Sequence, residues 1–133
     1  MPKIDNSSIE ISKEEDSFLG KGGFGKVTKA NYKSSIVAVK TMEVSSPKEK
    51  DAVKSELSIL STIAHPNVVM NLGYSRNKQE RVYYLVMELM SGGSLSDVLY
   101  KKGSFLPKEA TRISTQIAQV TFSFQFLTFT NRE

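Results

Sequence analysis

Four glycines fall within six residues, at Gly20, Gly22, Gly23 and Gly25, with Phe18-Leu19 before them and Val27 after. Glycine reaches backbone conformations closed to other residues and lets a main chain approach a ligand closely, so such a cluster is a turn and not the interior of an element. The spacing Gly20-x-Gly22-x-x-Gly25 also occurs in dinucleotide-binding loops, which join a strand to a helix. Here Val27-Thr28 continues in strand-like fashion, and the turn residues Asn31 to Ser35 follow before a helical period can develop. The loop therefore joins two strands. A Walker-type phosphate loop needs Ser or Thr after Gly-Lys to reach magnesium, but Val27 follows Gly25-Lys26. A glycine hairpin able to fold over phosphates is the reading that remains.

The rest of the chain fits an α+β organisation. Ile36-Val37-Ala38-Val39-Lys40 is a short β-branched run and predicts a third strand. Ser46, Pro47 and Glu49 form a helix start, with a cap, a proline at the first helical position and a capping-box acid. Ala52, Val53, Leu57, Leu60, Ile63 and Ala64 then recur at helical steps until Pro66. Val68-Val69 and Val82 to Met87 are two further strand candidates around a polar turn from Ser75 to Glu80, which completes a five-stranded antiparallel sheet with one packed helix. A Ser-Gly-Gly-Ser linker at 91–94 precedes a short helix at Leu95 to Lys101, and Pro107 opens another that reads clearly through Ala118. From Val120 to Phe126 the pattern alternates with period two, yet Ile113, Ile117, Val120, Phe124 and Leu127 keep helical steps, so both readings stand.

Composition narrows the chemistry. There is no cysteine and a single histidine, His65, which removes disulfides, thiolate catalysis and the usual zinc sites. His65 itself reads as a turn residue. The net charge of +4 comes from interleaved signs, as in Lys48-Glu49-Lys50-Asp51, which argues against a nucleic-acid partner. The uncharged stretch from Ile113 to Asn131 is dotted with Thr, Ser and Gln, so no membrane span is expected, and the polar N-terminus has no signal core. The expected compartment is the cytoplasm.

Leu19-Gly20-Lys21-Gly22-Gly23-Phe24-Gly25-Lys26-Val27, followed by Val37-Ala38-Val39-Lys40, resembles the start of a protein kinase catalytic domain over roughly residues 16–119. By that resemblance the glycine loop covers the phosphates of ATP, and Lys40 neutralises the α- and β-phosphates while Glu56 on the following helix holds it in place. The plain alternative for Glu56 is a solvated helix carboxylate. Val86 to Leu95 looks like the hinge of the family, with Met87 as gatekeeper. The Glu88 carbonyl and Met90 backbone would pair with adenine, and Leu19, Val27 and Ala38 would cover its face. Ser94 and Asp97 match positions that face the ribose, although Ser94 also suits a helix cap. Asn71 stands where the family places an apolar side chain against the helix bearing Glu56, which implies a looser hold on that helix. The resemblance implies a leader at 1–15, a small lobe at 16–90, hinge exit and the start of a second lobe at 91–119, and a divergent Phe-rich tail at 120–133.

The chain contains neither His-Arg-Asp nor Asp-Phe-Gly, which in the family supply the catalytic base and the magnesium ligands. No metal ligand is therefore assigned, although magnesium accompanies ATP in the family. The expectation is a chain truncated within the domain, whose family reaction moves the ATP γ-phosphate to a protein Ser, Thr or Tyr hydroxyl. A protein substrate is expected only with a complete second lobe. Gly22-Gly23-Phe24-Gly25 and His65-Pro66-Asn67-Val68-Val69 tilt the resemblance toward tyrosine-kinase-like sequences. The alternative is a non-catalytic small-lobe module that binds nucleotide or a partner.

Overall fold

The computed structural model describes residues 1–13, 17–22 and 25–130, with side chains described through Ser123. Its strands are β1 (Ile9–Ile11), β2 (Phe18–Gly22), β3 (Gly25–Tyr32), β4 (Ser35–Glu43), β5 (Asn71–Asn77) and β6 (Val82–Glu88), and its helices are α1 (Pro47–Thr62), α2 (Leu95–Lys102) and α3 (Pro107–Thr130). All strand pairs are antiparallel, in the order β1-β3-β4-β6-β5, with β2 also on β3. The α+β small-lobe architecture expected from the sequence is present, and β1 adds a short strand at the sheet edge. The chain separates into two compact units. One holds Met1–Ala64 with Val69–Ser91, and the other holds His65–Val68 with the segment from Gly92 onward.

The first unit is built on the two faces of β4. Antiparallel partners share a face, so Val39 lies with Thr28 and Val86, whereas Lys40 lies with Val27 and Leu85. The first face buries Ala30, Val37, Val39 and Val86 around Ile4. The second buries Met42, Tyr83 and Leu85 under Val53 and Leu57 of α1. Helix α1 starts where its residues dictate: Ser46 Oγ accepts from the Glu49 amide, and the Glu49 carboxylate accepts from the Ser45 and Ser46 amides at 2.7 and 3.2 Å. The β3–β4 hairpin turns on Lys33 and Ser34, both at positive φ (47° and 63°). That two-residue turn fixes the register that sets Val27 opposite Lys40.

Three sequence expectations need correction. Val68 and Val69 are not a strand; they lie in a turn and the coil after it, and β5 starts at Asn71. The polar stretch from Ser75 is not a turn until after Asn77, because its pairing with β6 runs from Asn71 opposite Met87 to Asn77 opposite Val82, and Ser75 is only 2% exposed. Pairing with a neighbour outweighed the β-branched content on which the expectation rested. The leader, read from its polar sequence as a loose or edge segment with no core residue, does form the edge strand β1 but also sends one residue into the core. Ile4 enters the core at 6% exposure, its amide donates to Tyr74 O at 2.7 Å, and the Tyr74 amide donates to Pro2 O at 3.0 Å. Residues 2–4 thus lie on β5 and residues 9–11 on β3, so the N-terminal segment straps one face of the sheet.

In the second unit, Ser94 caps α2 and Gly103, at φ 76°, ends it by donating to Leu99 O. Helix α3 runs to Thr130, so the helical reading of residues 120–130 holds and the period-two alternation does not make a strand. Asn67 Nδ2 donates to Gln119 Oε1 at 2.9 Å and tethers the His65–Val68 turn to α3. In that turn His65 Nδ1 accepts from the Asn67 amide, the structural role expected for it. No helix among the described residues is long and apolar enough to cross a membrane.

Candidate nucleotide-binding site

Register brings most of the predicted residues to one sheet face. Gly20 pairs with Val27, Val27 with Lys40, and Ala38 with Met87. Val27, Ala38, Lys40 and Met87 therefore point to the face that α1 covers further along. At its centre Lys40 Nζ meets Glu56 Oε1 at 2.6 Å, with the two side chains 18% and 27% exposed. The pair is sheltered enough that neither charge is well solvated alone, so each side chain holds the other's position. Glu56 is thus not a solvated helix carboxylate. Leu57, one residue on, is buried against the sheet and sets the rotation of α1 that aims Glu56 at Lys40. Asn71 is only partly buried and the ion pair forms across the same unit, so the amide does not hold α1 away from the sheet.

Within the hairpin, Gly25 has φ +142°, and a Cβ there would lie 2.0 Å from the Thr41 carbonyl oxygen. Only glycine lets β3 begin this close to β4. Gly20 has open space around it, so its glycine is not required by packing. Lys21 is exposed, Gly22 pairs with Gly25, and Leu19 is 42% exposed. Gly23 and Phe24 lie outside the described residues.

At the end of β6 the Glu88 amide donates to Met70 O at 3.0 Å, and its carboxylate accepts from the Met70 amide at 2.7 Å. This reciprocal pair fixes the direction in which the chain leaves the sheet, a function of the Glu88 side chain that the sequence reading missed. Met90 is 57% exposed, and among the described residues its amide and carbonyl take no hydrogen bond. They are free to meet a planar edge with a donor and an acceptor. Ser94 and Asp97 belong to the second unit, where they form a reciprocal capping box: the Ser94 hydroxyl donates to Asp97 Oδ2 at 2.6 Å and accepts from the Asp97 amide. The hydrogen bonds from the Ser94 side chain and then its backbone hold the Asp97 carboxyl below the usual carboxylate range.

For ATP the donor set fits: a positioned lysine, a hairpin whose last glycine is sterically required, and unpaired backbone groups at the end of β6. For magnesium it does not. No group of three His, Asp or Glu side chains gathers among the described residues.

Comparison with known proteins shows the family. Residues 13–123 match the protein kinase domain family, and the chain belongs to it. A probable serine/threonine-protein kinase of Dictyostelium discoideum is 34% identical over 123 residues, covering 90% of this chain and 9% of that protein. Serine/threonine-protein kinase H1 of Homo sapiens is 31% identical over 117 residues, covering 86% and 27%. Calcium/calmodulin-dependent protein kinase type 1 of Macrobrachium nipponense is 32% identical over 105 residues, covering 76% and 30%. The chain spans less than a third of each of these relatives.

Proposed function

We propose that this chain binds ATP through its first unit and, by itself, transfers no phosphoryl group. The observation that carries this reading is the 2.6 Å Lys40–Glu56 pair on the face shared with Val27, Ala38 and Met87. Lys40 holds the α- and β-phosphates, amides of the Gly20–Gly25 hairpin cover them, the Glu88 carbonyl and Met90 backbone pair with adenine, and Leu19, Val27 and Ala38 pack on its face. Phosphoryl transfer rests on positioning plus metal-assisted charge stabilisation, and no His-Arg-Asp or Asp-Phe-Gly occurs in the sequence. In a complete domain the reaction would move the γ-phosphate to a protein hydroxyl. The names of the relatives favour Ser or Thr as acceptor over the Tyr acceptor suggested by Gly22-Gly23-Phe24-Gly25. The cytoplasm is the compartment proposed.

The test is calorimetric titration of the full chain with ATP, with and without magnesium, alongside Lys40→Ala and Glu56→Gln. Loss of binding in Lys40→Ala and weakening in Glu56→Gln supports the reading. No binding by a folded wild type refutes it and favours a partner-binding module. Asp97→Ala in the same series tests the ribose role that the resemblance gives Ser94 and Asp97.

A further inference from the structure

The N-terminal strap covers only part of the sheet face that carries Val39. Past Ile11 that face stays open as a concavity of about 450 Å³, on the side of the sheet away from α1 and Lys40. Such a volume lies in the range of small-ligand sites. Strand register lays out its floor: Lys26 on β3 stands opposite Thr41 on β4, and Thr41 stands opposite Tyr84 on β6. Ile11 and Val82 give it apolar margins.

Two observations set this concavity apart from an ordinary solvated surface. Thr41 is 8% exposed, and its hydroxyl has no hydrogen-bond partner among the described residues. The Thr28 hydroxyl, opposite Val39 on the same face, is likewise buried and unpaired. Folded chains leave few buried hydroxyls in this state, because each loses its water without replacement. The second observation is that charges of both signs line the concavity without pairing. Lys26 and Arg81 have no carboxylate, and Glu43 and Glu80 no cation, within ion-pair distance among the described residues. The Asn77 side chain and the Tyr84 hydroxyl both donate to Glu80 Oε2, so Oε1 still faces no donor among those residues. A ligand with one cation and one anion satisfies both sets at once, whereas the two carboxylates repel a polyanion.

We propose that this concavity binds a short peptide zwitterion, two or three residues long with both termini free. Its carboxylate meets Lys26, its ammonium meets Glu80, and a peptide group between them pairs with the Thr41 hydroxyl. A hydroxyl both donates and accepts, which suits a peptide group. Spacing favours this class over a free amino acid. Lys26 lies two strands from Tyr84, whose hydroxyl meets Glu80, and that is roughly 10 Å at the usual strand separation. Extended chain covers about 3.5 Å per residue, while the two charges of a single amino acid sit on either side of one carbon. Bound there, the peptide bridges β3, β4 and the β5–β6 turn and stabilises the folded chain by mass action.

The test is calorimetry of the full chain with the tripeptide Ala-Val-Ala at fixed ionic strength. The same peptide acetylated at its N-terminus, amidated at its C-terminus, or both, and free valine, serve as comparison probes. Variants are Lys26→Gln, Glu80→Gln and Thr41→Val, each checked by urea unfolding, with Lys40→Ala marking the nucleotide site. Thr41→Val keeps the side chain's shape and removes only the hydroxyl, so the urea midpoint should not fall. The expected result is binding of the free tripeptide, weaker binding of either singly capped form and of valine, and none of the doubly capped form. Affinity should drop about tenfold in Lys26→Gln and in Glu80→Gln, about threefold in Thr41→Val, and not at all in Lys40→Ala. No binding of the free tripeptide by the folded wild type overturns the proposal, as does equal binding of a capped form. Equal binding of valine overturns the peptide as occupant. Full affinity retained in all three variants, or lost only in Lys40→Ala, overturns the site.

Discussion

Replacing Gly73 with Ala tests the strap formed by the N-terminal residues. A Cβ at Gly73 would lie 2.4 Å from Ile4 Cδ1, 2.6 Å from Ile4 Cγ1 and 2.8 Å from Pro2 O, all closer than van der Waals contact allows. Ile4 cannot swing away freely, because it is 6% exposed and packed among Ala30, Val37, Val39 and Val86. Overpacking of this kind costs about 1–3 kcal/mol. The upper limit is what docking of the strap contributes, since the segment can detach locally before the sheet opens. Ile4→Ala removes the two closest atoms and by itself costs about 2–4 kcal/mol through lost burial and the cavity left behind. The two substitutions act on one contact, so the double variant is expected to cost about 1 kcal/mol less than the sum of the singles. Urea unfolding of the four proteins measures this cycle. Exchange of the Tyr74 amide, which donates to Pro2 O, should quicken in Gly73→Ala. Additivity to within about 0.5 kcal/mol, or a neutral Gly73→Ala with Tyr74 still protected, would refute the reasoning.

Three further outcomes follow from local geometry. Ser46→Ala removes the cap at α1 and should cost about 1 kcal/mol, read as a lower urea midpoint at constant slope. Lys33→Asn with Ser34→Gly suits the positive φ angles of the β3–β4 turn and should add about 1 kcal/mol; no gain would mean the turn is not strained by its present residues. The Asp97 carboxyl is depressed by Ser94, so its contribution to holding α2 is present above the ordinary carboxylate pKa and is lost as pH falls through the lowered folded value, below about pH 4. An NMR titration should find the Asp97 carboxyl returning toward the ordinary value in Ser94→Ala.

Where local chemistry dictates the structure, the sequence was legible. The glycine hairpin, the Val37 to Lys40 strand and the capped start of α1 carry their own signals, whereas the Lys40–Glu56 pair was implied only by the family resemblance that those residues support. Strand β5 was misplaced because Asn-Leu-Gly-Tyr-Ser-Arg-Asn has little strand propensity of its own; its pairing with β6 and with residues 2–4 makes it a strand. Ile4 was missed as core for a related reason, since a lone apolar residue in a polar segment shows no period and its burial depends on Gly73, remote in sequence. The required glycine at 25 was visible as part of a cluster, but its cause, the Thr41 carbonyl on the adjacent strand, was not.

The most direct test of the central claim is a map of amide shifts in the full chain on titration with ATP. The account predicts shifts concentrated at Gly20 to Gly25, Ala38, Lys40 and Glu88 to Met90, abolished in Lys40→Ala while Glu56→Gln keeps them at weaker affinity. A folded chain whose shifts are absent, fall elsewhere, or survive Lys40→Ala unchanged would contradict it.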